Sequence, residues 1–230
     1  MPTATRFDLH RTDLPEISNV SDKHGVFPRG PRLAGFCLQE ARVSVQVIFL
    51  VRFVFAGTAG VTLWDVSTRL LPGAVLWFLA VTAVYLYNGT TDVREDRANG
   101  SGRPIARGAL SVRSARRSAA VLSASALVGG LLMAPPVGAA IGALLLLGYA
   151  YSTPGISLKR HTPGTALTVM ASGALTYATG VLCGRATVSP ALIAFCAAMC
   201  LWMGLAELAI AVPRLRRTRG TAARRAVVQT

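Results

Sequence analysis

Acidic side chains are scarce in this chain. Ten Asp and Glu stand against 24 Lys and Arg in 230 residues, and charged residues of both signs make up only 15%. A soluble domain usually carries about a quarter charged residues, so the low total excludes an ordinary water-soluble globule. Cysteine is also sparse. Of the four, Cys196 and Cys200 share a helix face at i,i+4, but no histidine or second thiol pair accompanies them. That excludes a thiolate metal or redox motif and leaves small apolar residues in packed spans. An apolar leader is missing too: residues 1–35 are polar and the first apolar run is full length, so no cleavable signal peptide is expected. No internal repeat or low-complexity tract is present.

What the chain does have is long apolar runs. Residues of apolar type make up 52% of it, the mean hydropathy is +0.48, and the runs have the length that crosses hydrocarbon rather than that of core strands. The expected fold is all-α, a polytopic transmembrane bundle of about six spans, near 43–64, 72–92, 114–134, 136–152, 164–184 and 189–212. Residues 1–38 read as a polar cytoplasmic tail, 39–212 as the membrane domain and 213–230 as a basic cytoplasmic tail. The net charge of +14 would suggest nucleic acid in a soluble protein. Its placement argues for a bilayer instead. Basic residues precede span one, fill the connectors after spans two and four, and follow span six; Arg69 and Arg185 alone fall on the other side, with Arg52 inside span one. This is the positive-inside pattern of a multi-pass protein of the cell membrane, with both termini cytoplasmic and no nucleic-acid partner.

Against this background the acids cluster. "YNGTTDVREDR" (87–97) holds Asp92, Glu95 and Asp96 at the end of span two. Four helical residues turn about 400° and rise about 6 Å, so Asn88, Asp92 and Asp96 form a ladder of oxygen ligands on one face. Oxygen donors without imidazole or thiolate suit Mg²⁺, which takes few carboxylates and completes its shell with waters and phosphates. The plain alternative is a helix end whose acids pair with Arg94 and Arg97. The next connector, "NGSGRPIARGALS" (99–111), sets Arg103 and Arg107 beside the acids, and Ser111 is the expected N-cap of the following helix. Metal-holding acids with arginines nearby make a diphosphate clamp. Arg113, Arg116 and Arg117 read as topogenic charges. On the same side, "YAYSTPGISLKRHTPG" (149–164) brings Lys159 and Arg160, either to the same phosphates or snorkelling to headgroups. Tyr151 is an interfacial anchor or a substrate wall, and His161 reads as solvated.

The Asn88, Asp92, Asp96 ladder, then "RPIARGALS", then "YSTPGISLKR", resembles the UbiA-type intramembrane prenyltransferases. Their first signature runs Asn-Asp-xx-Asp-xxx-Asp; Gly89 replaces its second residue here. "ARVSVQVIFLVRFVFAG" (41–57) is similar to their first helix, with Arg42 at its cytoplasmic start. The resemblance covers roughly residues 35–205. It implies Mg²⁺ as cofactor and a prenyl diphosphate as substrate, ionised to an allylic cation that alkylates a small acceptor, commonly aromatic. By the motif match Asn88, Asp92 and Asp96 hold the metal, Arg103, Lys159 and Arg160 contact diphosphate, and Tyr151 lines the cavity, on the cytoplasmic side.

The pattern also breaks. The family has nine helices and a second Asp-rich motif at the cytoplasmic end of helix six. After Asp96 the only acid here is Glu207, with Ala211 and Leu215 where further rungs would fall. Glu207 is either a remnant ligand or a helix-end residue near Arg214. The segment "VPRLRRTRGTAARRAVVQT" reads as a lipid-binding basic tail or as the product of a reading-frame shift in a GC-rich gene. Expectations follow for three classes: a Mg²⁺-dependent prenyltransferase, a terpene cyclase using the same cation chemistry, or a homologue without turnover that binds a prenyl lipid. A six-helix transporter fits less well, because the acids lie at an interface rather than mid-membrane. One ladder implies weak binding and little turnover.

Overall fold

The computed structural model describes residues 30–62, 64 and 66–228, with the side chains of Ser67 and of 211–228 excepted. Among these residues there is helix and no strand. α1 (Pro31–Glu40) starts with proline in its first turn, where the missing N–H costs nothing. It begins ahead of the boundary expected at residue 39, so part of the expected tail is a docked helix; residues 1–29 lie outside the described residues. α2 (Val43–Gly57) follows at a bend of 78°. Arg42 takes the corner at φ 56°, and the buried Gln46 side chain donates to the Ala41 carbonyl at 3.1 Å, holding it.

A π-turn at Val66–Leu70 leads into α3 (Leu71–Thr91), the central helix. Its buried face (Trp77, Val81, Leu86) packs on α2, α5 and α6, and Trp77 stacks on Phe53 at 6.1 Å between ring centres. The short α4 (Val93–Ala98) and an irregular connector follow. Ser111 then caps α5 (Val112–Met133): its hydroxyl accepts from the Ser114 amide at 3.1 Å, as expected for that residue. α5 and α6 (Pro135–Ser152) form a tight hairpin, in which Gly130 and Gly138 allow close backbone approach. A 3₁₀ turn (Leu158–Arg160) precedes α7 (Thr162–Gly184), and α8 (Pro190–Val228) packs on α7. α2 and α7 cross with backbones touching. A Cβ at Gly57, Gly180 or Gly184 would overlap the opposite carbonyl, the small-residue contact typical of helices in lipid.

Each of the six expected spans has a helix, but not all meet the measure of a span alike. α3, α6, α7 and α8 are long and apolar enough to cross a membrane, and α1 with α2 passes only as a bent pair. At 15 residues α2 alone reaches about 22 Å, short of the roughly 30 Å hydrocarbon layer. α5 falls short because Arg113, Arg116 and Arg117 crowd its first turns and serines dilute the rest. Large apolar side chains such as Leu132, Leu146, Leu167 and Trp202 project outward around the bundle, costly in water and neutral in hydrocarbon.

Candidate active site

The ladder forms at one end of α3, with a break the pattern did not foresee. α3 ends at Thr91, Asp92 lies at the junction (φ −96°, ψ 5°), and α4 starts at Val93. The i→i+4 backbone bonds nevertheless continue through it, Asp92 N–H to the Asn88 carbonyl at 3.1 Å and Asp96 N–H to that of Asp92 at 2.8 Å. The three side chains therefore keep nearly their helical register. Asn88 Nδ2 donates to Asp92 Oδ2 at 3.0 Å, which aims the Asn88 carbonyl oxygen away from Asp92. That oxygen accepts from the Ser152 hydroxyl at 2.9 Å, at the end of α6.

Lys159 reaches the same rung from the connector after α6. Its ammonium ion-pairs with Asp92 Oδ1 and lies 3.3 Å from Thr91 Oγ1 and 3.5 Å from Asn88 Oδ1. The left-handed Ser157, buried before the 3₁₀ turn, sets the direction of that approach. Arg160, the next residue, is exposed and makes no side-chain bond among the described residues. Its expected place on the diphosphate stays a proposal. His161 is exposed, as expected.

The upper rung is braced by Arg103. Its Nη1 ion-pairs with Asp96 Oδ2 at 2.8 Å, and its Nη2 with Glu40 Oε1 at 2.7 Å. Glu40 is fully buried at the end of α1; its second oxygen accepts from the Ile105 amide at 3.0 Å. Arg107 Nη2 donates to Gln39 Oε1 at 2.9 Å and its guanidinium lies over Phe36, so α1 and the connector are joined twice. Gly89 is what lets the groups meet: a Cβ there would overlap Glu40 Oε1 and stand 2.9 Å from Arg103 Nη2.

Below the ladder lies a cavity of about 270 Å³. Asn88 is at its polar side, Phe49, Val81, Tyr85 and Leu144 form apolar wall, and Tyr151, Arg42 and Glu207 line it as well. The structure thus brings Asn88, Tyr151, Arg42 and Glu207 around one space, with Asp92 and Lys159 bonded to Asn88 behind it and Asp96 paired with Arg103 one turn on. Among the described residues no three His, Cys, Asp or Glu side chains gather closely enough to cage a metal. The donors that do converge are all oxygen: amide, carboxylate and hydroxyl. That fits a hard cation held by few protein ligands and completed by waters and phosphate, as Mg²⁺ is.

Three contributors were missed by sequence reasoning. Ser152 carries no motif signal beyond its place in "YST". Thr91 was hidden as a spacer in the ladder. Glu40 had the best available signal, an acid in a chain with ten, but it lay between the expected tail and the first expected span.

A bundle of apolar helices whose carboxylates and cations meet at one end of a cavity is of the multi-pass membrane class. The chain belongs to the UbiA prenyltransferase family, whose sequence model matches residues 45–223. Its fold is similar to that of a UbiA homologue from Archaeoglobus fulgidus bound to GPP and Mg²⁺, at TM-score 0.60 and 19% identity, covering 72% of this chain and 60% of that one. The same homologue bound to DMAPP and Mg²⁺ aligns at TM-score 0.59 and 20% identity, over 68% and 57%. The chain spans about three fifths of the length of those proteins. No curated protein matches it in sequence.

Proposed function

We propose that this chain binds an isoprenyl diphosphate together with Mg²⁺ and transfers the prenyl group to a small, aromatic acceptor within the membrane, with the site on the cytoplasmic face. The observation that carries this reading is the junction at Asn88. There the first rung of the oxygen ladder, bonded to Asp92 and reached by Lys159, lines a largely apolar cavity. A molecule with a charged head and a hydrocarbon tail matches both halves. The A. fulgidus homologue, bound to GPP and DMAPP with Mg²⁺, supports it.

Asn88, Asp92 and Asp96 would hold the cation, and bound Mg²⁺ would supply charge neutralisation to the departing diphosphate. Lys159 already hovers over three acceptors and is free to turn a proton to a phosphate oxygen as the allylic C–O bond breaks. Tyr85 and Tyr151 line the cavity, where aromatic rings would favour a carbocation, and the apolar wall would keep water from capturing it. The acceptor carbon would then form the new bond to the allylic carbon and lose its proton to the departed diphosphate.

A second reading, binding without turnover, is favoured by one observation: after Asp96 the only further acid is Glu207. The test is product analysis. Purified chain is incubated with geranyl diphosphate and Mg²⁺, with and without a panel of phenolic acceptors. A prenylated phenol supports transfer, and a cyclic hydrocarbon without acceptor supports cyclisation. Bound but unconsumed substrate supports the second reading. Neither binding nor product overturns all three.

A further inference from the structure

The fully buried carboxylate of Glu40 is not accounted for by any motif, and it lies against the ladder itself. Its Oε1 occupies the space over Gly89, one residue from Asn88. Burying a carboxylate is costly unless every lone pair is used. Here Oε2 accepts from the Ile105 amide and the Glu40 carbonyl accepts from Arg103 Nη2 at 3.3 Å, while Oε1 lies 2.7 Å from Arg103 Nη2 as an ion pair without a hydrogen bond, so the burial of this acid is only partly compensated.

Docking α1 does not require an acid at this point, since Gln39, Phe36 and Cys37 already join it to the connector and the core. What the acid changes is charge. Asp92, Asp96 and Glu40 face Lys159 and Arg103, so three carboxylates meet two cations and one negative charge is left over. Glu95, Arg94, Arg97, Arg107 and Arg116 nearby are exposed, where solvent screens them. With a neutral residue at 40 the same group of side chains would balance to zero. Arg103 would also no longer be shared. Its guanidinium is pulled between Asp96 and Glu40, and without the second pull it would neutralise Asp96 alone.

We infer that Glu40 is a positioning residue for the cation site: by holding Arg103 between two carboxylates it keeps the guanidinium from being spent on Asp96 alone and leaves the group net negative, so that a divalent cation is attracted. Glu40 does not ligate the cation. It acts through Arg103. This rests on the metal-site reading of the ladder given above.

The test is Mn²⁺ binding to the full chain in nanodiscs, counted by electron paramagnetic resonance of free Mn²⁺, without pyrophosphate, which would itself chelate the ion. Thermal melting is recorded alongside. Glu40→Gln should raise the half-saturating Mn²⁺ concentration about tenfold, equivalent to 1.4 kcal/mol, in folded protein, and Glu40→Asp should recover most of the loss. The double variant Glu40→Gln/Arg103→Gln removes the buried pair together and leaves Asp96 with its full charge. It should bind Mn²⁺ at least as well as the native chain, which a purely structural role of Glu40 would not give. Unchanged affinity in Glu40→Gln overturns the inference. If Glu40→Gln does not fold, the double variant decides, and a loss there overturns it. Asp92→Asn separates the two levels. Native binding that is lost in Asp92→Asn but kept in Glu40→Gln sinks only the role of Glu40. No Mn²⁺ affinity in the native chain sinks the metal site as well.

Discussion

The two aspartates of the ladder stand one helical turn apart and are held in different ways. Asp92 faces Lys159, a flexible point charge from a connector, surrounded by Asn88 and Thr91 as alternative partners. Asp96 faces Arg103, a rigid fork whose other arm is fastened to a buried carboxylate. Lys159 has other oxygens within reach, Thr91 Oγ1 and Asn88 Oδ1, that could take over its bond to Asp92. Arg103 cannot move without stranding Glu40. The resemblance assigned both cations to the diphosphate. The packing gives them different surroundings, a lysine with several neighbouring acceptors at Asp92 and an arginine shared with a buried acid at Asp96.

The contrast can be broken most forcefully at Arg103. Arg103→Gln leaves a fully buried Glu40 without its countercharge, a loss of about 3–5 kcal/mol by comparison with other broken buried pairs. Thermal melting in detergent should show a drop of roughly 10 °C, at 2–4 °C per kcal/mol for a chain of this size. Lys159→Gln should behave in the opposite sense. Its melting temperature should stay within a few degrees, while affinity for a prenyl diphosphate weakens about thirtyfold, near 2 kcal/mol. Equal melting losses in the two variants would erase the distinction.

Gly89→Ala sharpens the comparison from below. The added methyl meets Glu40 Oε1 and Arg103, so a loss of about 1–3 kcal/mol is expected, as for other overpacked sites. The loss should vanish when Glu40 is also shortened to Ala, in a double-mutant cycle. Ser152→Ala removes one hydrogen bond to Asn88 and should cost about 1 kcal/mol in stability. The smallest effect belongs to Arg160→Gln. Exposed and without a side-chain partner among the described residues, it should change melting by less than about 0.5 kcal/mol equivalent.

These differences also show where sequence is readable. Asn88, Asp92 and Asp96 were legible because four-residue spacing maps directly onto one helix face, and the backbone keeps that register even through the break at Asp92. Ser111 was legible because capping is local. Lys159 was placed by its motif and side of the membrane, and the structure puts it on Asp92 itself. Glu40 was not legible, because its partners lie 63 and 65 residues away and nothing in local spacing joins α1 to the connector. α5 illustrates the same limit in hydropathy. Its arginines and serines lower its score as a span, while packing against α3 and α6 places it in the bundle all the same.

The most direct test of the account is calorimetric titration of the chain with geranyl S-thiolodiphosphate, an unreactive substrate analogue, in Mg²⁺ and again in EDTA. The account predicts binding in Mg²⁺, no measurable heat in EDTA, and affinity reduced at least about tenfold in both Asp92→Asn and Asp96→Asn, each still folded. Unchanged affinity in both variants would contradict the assignment of this ladder as the metal site.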